Sequence, residues 1–484
     1  MNTEKKRNVI ILYADDLGYG DLGCYGGCEI PTPNIDRLCA DGLRFTNAYA
    51  TSAVCTPSRY SLLTGEYPFR NDRLFILRGD AHCVIDRNKD TMPKMFKRAG
   101  YATGVVGKWH LGLGEGDGPI DWNREIPYAP VDVGFDSSFI FPATADRVPC
   151  VFVDGRKVVG LDENDPIEVT YEESKRFEGV PTYKTNPELL RVHSSHGHNM
   201  SIINGIGRIG YMRGGSRALW KDEELADAFL QKAQAFVEEH KDRPFFLYYA
   251  LHQPHVPRVP APRFAGTTSL GSRGDVIVEM DWCVGELIGT LERHGILEDT
   301  MIILSSDNGP VLDDGYVDQA VELNGPHRPA GPLRGGKYSR YDGGTRIPFI
   351  VSQKGSVRRG VSEALVSQAD LFASFAAMLD TPPEKGAAVD SENMLDALTG
   401  RSDGGRAELM AQALNGEKVL RSGKWAYLSP NTKAGKKRPA AEQEPQSPQL
   451  YNSCYDIGQQ TDVAEQYPQI VKDMEERLQA ILKS

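Results

Sequence analysis

Three apolar runs in this chain end abruptly in clusters of polar residues, and each has the length and composition of a buried strand. "NVIILYADDLG" opens at Asn8, "PFFLYYALHQPH" spans Pro244 to His255, and "TMIILSSDNGP" spans Thr300 to Pro310. In open α/β sheets the ligand crevice lies beyond the carboxyl ends of the strands. The pattern therefore predicts that Asp15, Asp16, His252, His255, Asp307 and Asn308 converge. Between the runs the period changes to that of a helix. From Asp222, "DEELADAFLQKAQAFVEEH" puts Leu225, Phe229 and Phe236 on one side, with acidic residues in the first turn. "EALVSQADLFASFAAMLD" predicts a second helix from Glu363 to Asp380, stopped at Thr381-Pro382-Pro383.

After about residue 400 the pattern breaks into short strand-like pieces, "KVLRSGKWAYL" and "PQLYNSCYD", and a terminal helix, "AEQYPQIVKDMEERLQAIL". The polar, Pro-rich "SPNTKAGKKRPAAEQEPQSP" between them reads as an exposed loop, its Lys-Lys-Arg run a solvated turn. The expected architecture is a large mixed-sheet α/β domain flanked by helices over residues 1–400. A smaller C-terminal α+β subdomain, a short antiparallel sheet plus a helix, follows over 401–484.

Composition narrows the function. A formal charge of −11 over 484 residues argues against a nucleic-acid partner, which needs a concentrated basic face. The apolar run from Val9 to Tyr13 is too short for a leader, and no segment is long enough to span a membrane. The chain as it stands reads as cytoplasmic, or as periplasmic or secreted if a leader has been trimmed. Eight cysteines occur without a C-x-x-C pair, so a structural zinc site is not expected and most read as reduced, buried thiols. Cys55 is the exception because of its surroundings.

Those surroundings are "CTPSRYSLLTG", which resembles the signature of type I sulfatases, a C-x-P-S-R run followed by L-T-G. "ADDLGYGD", "GKWHLG", "PHVP", "SDNGP" and "GGKYSRYDGGTRIP" match further blocks of that family in order, over roughly Asn8 to Pro348. The resemblance implies an alkaline phosphatase-like fold and oxidation of Cys55 to Cα-formylglycine by a formylglycine-generating or anaerobic sulfatase-maturing enzyme. The hydrated aldehyde offers one hydroxyl to attack sulfur and a second to expel sulfate, which a serine cannot do.

Asp15, Asp16, Asp307 and Asn308 supply the hard oxygen ligands that calcium, and secondarily magnesium, prefer, with an oxygen of residue 55 joining them. Arg59, at i+4 from Cys55, is placed to hold the aldehyde hydrate. By resemblance Lys108 contacts sulfate, His110 is the base for elimination, and His255 with Lys337 binds sulfate oxygens and protonates the leaving alcohol. His252 either lines the substrate pocket or caps its strand. His327 and Arg328 are candidate substrate contacts. "RVHSSHGHN" gathers His193, His196 and His198 in what reads first as a polar loop and second as a substrate contact.

The expected activity is hydrolysis of an alcohol sulfate, on a sulfated small molecule or, preferably, a glycan whose pocket the insertions near 115–220 and 310–335 build. The competing readings are a phosphonate monoester or phosphodiester hydrolase of the same superfamily, and a non-catalytic sugar-binding relative.

Overall fold

The computed structural model describes residues 6–116, 118–430 and 447–484. Its centre is a ten-stranded mixed sheet, and four of the five successive parallel strands in its middle carry the polar ends. These are β1 (Asn8–Ala14), β2 (Ala102–Lys108), β3 (Phe245–Ala250) and β4 (Thr300–Ser306), lying in the order β4-β1-β3-β2. Every residue of all four is buried. That explains the apolar runs of β1, β3 and β4, because a strand covered on both faces has no solvent side on which to place polar residues. The flanking strands add antiparallel pairs at both edges, so the sheet is mixed as the sequence suggested.

Register makes the polar tails converge. Residues 8–14 of β1 pair in step with 300–306 of β4, and Val9–Leu12 with Phe246–Tyr249 of β3. The pairing carries past the strand ends, where the Asp15 amide donates to the Gln253 carbonyl at 3.0 Å and the Asp307 amide to the Ala14 carbonyl at 3.1 Å. Four strand ends are thus held side by side.

Three helices frame this edge. α1 (Cys55–Thr64) is buried at every residue and stops at Gly65, whose φ of 67° and amide bond to the Ser61 carbonyl at 2.8 Å form a left-handed cap. α2 (Leu225–His240) buries Leu225, Phe229 and Phe236, the predicted stripe, with Asp222–Glu224 forming a 3-10 turn before it. Phe236 lies flat against Gly104 of β2, where a β-carbon would come within 2.5 Å of the ring. α3 (Gly271–Arg293) packs beside α2.

The expected helix from Glu363 is shorter: only Asp370–Met378 is helical, and Val366–Ser367 instead pairs with Ala48–Tyr49. The Asp370 carboxylate accepts the Ser367 amide at 2.8 Å, a side-chain acceptor that starts the helix at that point. The terminal helix α4 (Pro468–Lys483) begins at its proline rather than at Ala464, since Pro fits the first helical turn and lacks an N–H to pair behind it.

The C-terminal segment forms an antiparallel sheet of β5 (Glu408–Gln412), β6 (Lys418–Ser422), β7 (Trp425–Leu428) and β8 (Gln449–Asn452). Met474 and Leu478 of α4 cover Leu420, Tyr427 and Leu450. The first of these strands had no counterpart in the sequence reading. It does not stop at its own sheet: Gln412 exchanges backbone bonds with Thr51 and Ala53, both at 2.9 Å, just before Cys55. Residues 431–446, which hold most of the expected Pro-rich loop and its Lys-Lys-Arg run, lie outside the described residues.

Candidate active site

The strand ends assemble a cluster of buried charge. Asp15 and Asp16 follow β1, Asp307 and Asn308 follow β4, and Lys108 closes β2; none is more than 1% exposed. Lys108 Nζ donates to both Asp15 carboxylate oxygens at 2.7 and 2.6 Å. Asp16 holds a left-handed φ of 67°, which turns its carboxylate back to accept Asn308 Nδ2 at 2.7 Å and Lys337 Nζ at 2.8 Å. A non-glycine residue in that region marks a backbone held by its surroundings. Arg59, one helical turn beyond Cys55, donates Nε to Asp307 Oδ2 at 2.9 Å, with Nη2 at 2.7 Å from the same oxygen. Its guanidinium thus engages a predicted metal ligand. Burial works against that charge, and Asp307 with Asp15 more than restores it.

Cys55 starts α1 and is 1% exposed. Its Sγ lies 3.2 Å from His110 Nδ1, while His110 Nε2 lies 3.0 Å from the Leu77 carbonyl. A carbonyl accepts only, so Nε2 carries the hydrogen and the Nδ1 lone pair faces residue 55. His110 also has a positive φ, 52°, so the extended spacing expected of Lys108 and His110 ends in a left-handed turn. Burial, then the Lys108 and Arg147 charges, hold its pKa well below the usual imidazole value. Burial also pushes the Cys55 thiol up. Trp109 between them is packing, fully buried with its indole N–H on the Gly112 carbonyl at 2.7 Å.

On the other side His255 donates Nδ1–H to the Val256 carbonyl at 2.7 Å, leaving Nε2 3.8 Å from Asp16 and 3.9 Å from Asp314. Burial and the neighbouring Lys337 and Lys108 keep it well below the ordinary histidine pKa. Lys337 bridges Asp16 and Asp314, both at 2.8 Å. Burial opposes its charge, but the two carboxylates outweigh burial and hold the pKa above the lysine value. Asp15, Asp16 and His255 each offer a ligand atom, all within 4.8 Å of one another.

Those ten residues converge; the other candidates divide. His252 sits against the rings of Phe141 and Phe229, with burial lowering its pKa to about 3. His327 is buried against Asp21 at 2.8 Å, a carboxylate that Arg273 grips bidentately at 2.8 and 2.7 Å. That places it in an ion cluster with Asp21, the last residue of the "ADDLGYGD" block, to which no role was assigned. Arg328 is exposed.

Sequence reasoning missed a wall of polar groups beside the cluster. Asp146 accepts His198 Nε2 at 2.7 Å and Arg147 Nη1 at 2.9 Å, and Asp314 accepts the Tyr338 hydroxyl at 2.6 Å. The one available signal was the histidine-rich loop. Its His198 is buried here, whereas His193 and His196 are not.

The family model described as Sulfatase matches residues 7–381, the part of the chain that carries this cluster. The chain belongs to the sulfatase family. The sulfatase is 49% identical over 484 residues to N-acetylgalactosamine-6-O-sulfatase of Bacteroides thetaiotaomicron, covering 99% of this chain and 93% of that protein. It is 30% identical to human N-acetylgalactosamine-6-sulfatase over 81% of this chain and 65% of that one. A solved Bacteroides thetaiotaomicron structure, from work on the metabolism of multiple glycosaminoglycans, superposes with a TM-score of 0.96 at 48% identity. It covers 99% of this chain and all of that one. The protein is therefore a sulfuric ester hydrolase of alkaline phosphatase-like fold. No helix among the described residues is long and apolar enough to cross a membrane.

Proposed function

We propose that this sulfatase removes sulfate from a primary alcohol of a sulfated hexosamine, of the N-acetylgalactosamine 6-sulfate class, within a glycan. The observation that carries the reading is the 49% identity, along the whole chain, to a relative named for that reaction. The buried cluster supplies the matching chemistry.

A hard divalent cation, calcium before magnesium, fits the residues at the strand ends. Asn308 Oδ1 is buried with no hydrogen-bond partner, an orphaned acceptor beside three carboxylates. Orphaned buried acceptors are costly, and an oxygen-seeking ion satisfies this one. Asp15, Asp16, Asp307 and Asn308 would hold it, and it would supply positive charge against the sulfate oxygens. Cys55 is the position for formylglycine, which supplies a hydrated carbonyl as the oxygen nucleophile toward sulfur.

The chain's own residues divide the remaining work. His110, its Nε2 hydrogen fixed on Leu77, takes a proton at Nδ1 from the side chain at 55. Lys108 and Arg59 keep the carboxylates from repelling an anionic ester. The proton for the leaving alcohol sits on Lys337, because the same surroundings keep Lys337 charged and His255 neutral. His255, neutral with its hydrogen on Nδ1, presents an Nε2 lone pair that accepts the hydroxyl of the departing alcohol.

A panel of sulfated monosaccharides with the matured protein tests the reading. Release of sulfate from N-acetylgalactosamine 6-sulfate should exceed release from 4-sulfated isomers by at least about 100-fold in kcat/KM. Cys55→Ala should lose turnover while retaining fold and metal. Equal rates on all isomers, or faster turnover of a phenylphosphonate monoester, would overturn it.

A further inference from the structure

We infer that Asp146, Arg147 and His198 form a subsite that reads hydroxyl groups on the sugar ring bearing the sulfate. The inference rests on the carbohydrate reading above and goes beyond it by naming the recognising groups.

Position comes first. Asp146 and Arg147 follow shortly after Pro142, whose carbonyl accepts the His110 amide at 3.1 Å, while their partner His198 lies against Tyr316, two residues past the Asp314 carboxylate that accepts Lys337 at 2.8 Å, so the group links the His110 side of the pocket to the Lys337 side. Neither serves the sulfate: the carboxylate is committed to Arg147 and His198, and one carboxylate against one guanidinium leaves no net charge for a second anion. A neutral polyol suits such a pair, since an Asp accepts an O–H and an Arg fork donates to an oxygen.

The groups are also incompletely used. Among the described residues, the side-chain hydrogen bonds of Arg147 are all made by Nη1, to both Asp146 oxygens at 2.9 Å and to Thr144 Oγ1 at 2.6 Å. Nε and Nη2 remain for a ligand, on a side chain only 15% exposed.

His198 is delivered there by construction. Its loop is strapped to a second one, through Ser195 N to the Gly315 carbonyl at 3.1 Å, Val317 N to the His193 carbonyl at 2.8 Å, and Ser195 Oγ to Asp313 at 2.6 Å. The Tyr316 ring lies 4.4 Å from the imidazole, and a β-carbon on Gly315 would fall 2.0 Å from its Nδ1. His198 itself has a φ of 43°. Two long loops ordered around one histidine in a left-handed conformation cost conformational entropy and backbone strain that a mere surface loop avoids.

The test pairs a protein deletion with a substrate deletion. Wild-type and Arg147→Ala enzymes are assayed on N-acetylgalactosamine 6-sulfate and on its 3-deoxy and 4-deoxy analogues. Each single deletion should cost about 100-fold in kcat/KM, and for one analogue the two together should cost no more than either alone. His198→Gln should show the same non-additivity with a smaller loss. If Arg147→Ala fails to fold, Arg147→Lys, which keeps the charge but not the fork, replaces it. Losses that multiply for both analogues would overturn the subsite alone. A wild-type enzyme that cleaves other sulfate esters but no 6-sulfated sugar would overturn the carbohydrate reading and the subsite together.

Discussion

The floor and the wall of this site are built from different materials. On the floor, Asp15, Asp16, Lys108, Asp307 and Asn308 sit at the ends of adjacent parallel strands, where backbone register alone sets their spacing. On the wall, Asp146, Arg147, His198, Asp314 and Tyr338 come from loops that hold one another by side-chain and backbone bonds. Strands are stiff and cannot be lengthened without loss of register, whereas loops accept insertions and carry variable chemistry. The floor thus suits the step that every sulfate ester shares, and the wall suits discrimination among alcohols.

The contrast can be broken most severely from the floor. Asp307→Ala should lower kcat/KM on the order of 10³-fold and release the metal, measured by elemental analysis. It also strands the fully buried Arg59 guanidinium, so unfolding in denaturant should show a loss of about 3–5 kcal/mol. Full metal content in this variant would move the ligand set elsewhere.

A change in the wall should touch selection and spare the floor. Gly315→Ala puts a β-carbon against His198 at a φ of 107° that disfavours any side chain. Activity on the preferred sulfated sugar should fall about tenfold with metal content unchanged. Loss of metal as well would mean that floor and wall are one cooperative unit.

The effect smallest on turnover sharpens the comparison, since it leaves the chemistry untouched. Glu279 of α3 supports the floor from beneath, accepting the Ala261 amide at 2.9 Å and Gln253 Nε2 at 3.2 Å. Burial pushes its carboxyl from 4.5 up to about 7. A carboxyl whose pKa is raised on folding binds its proton more tightly in the native state, so stability is lost as pH rises from about 4.5 to about 7. The slope amounts to roughly 3 kcal/mol, and Glu279→Gln should flatten it in melting temperatures taken between those limits. An unchanged slope would locate the titration in another group.

What the sequence disclosed follows the same division. The buried strands announce themselves because apolar runs are contiguous and their polar tails must be adjacent, and the motif around Cys55 falls on one helix. Asp146 and Asp314 were invisible because a lone aspartate in a loop has the same local pattern whether it caps a turn or faces a ligand. His198 acquires its carboxylate, Asp146, only when its loop folds back across some fifty residues of chain. His327 failed differently: it stands near the Lys337 block in sequence, but its partner, Asp21, lies at the other end of the chain. The helix expected from Glu363 was overextended because strand pairing with Ala48–Tyr49 overrides local propensity.

The seam between Gln412 and Thr51–Ala53 fastens the C-terminal sheet to the backbone that leads into α1, about 350 residues earlier in the chain. The approach to Cys55, itself 1% exposed, is therefore shaped in part by a segment that has no residue in the cluster. Truncation before residue 408 would remove no charged group of the site, yet it would leave the stretch ahead of position 55 without its partner.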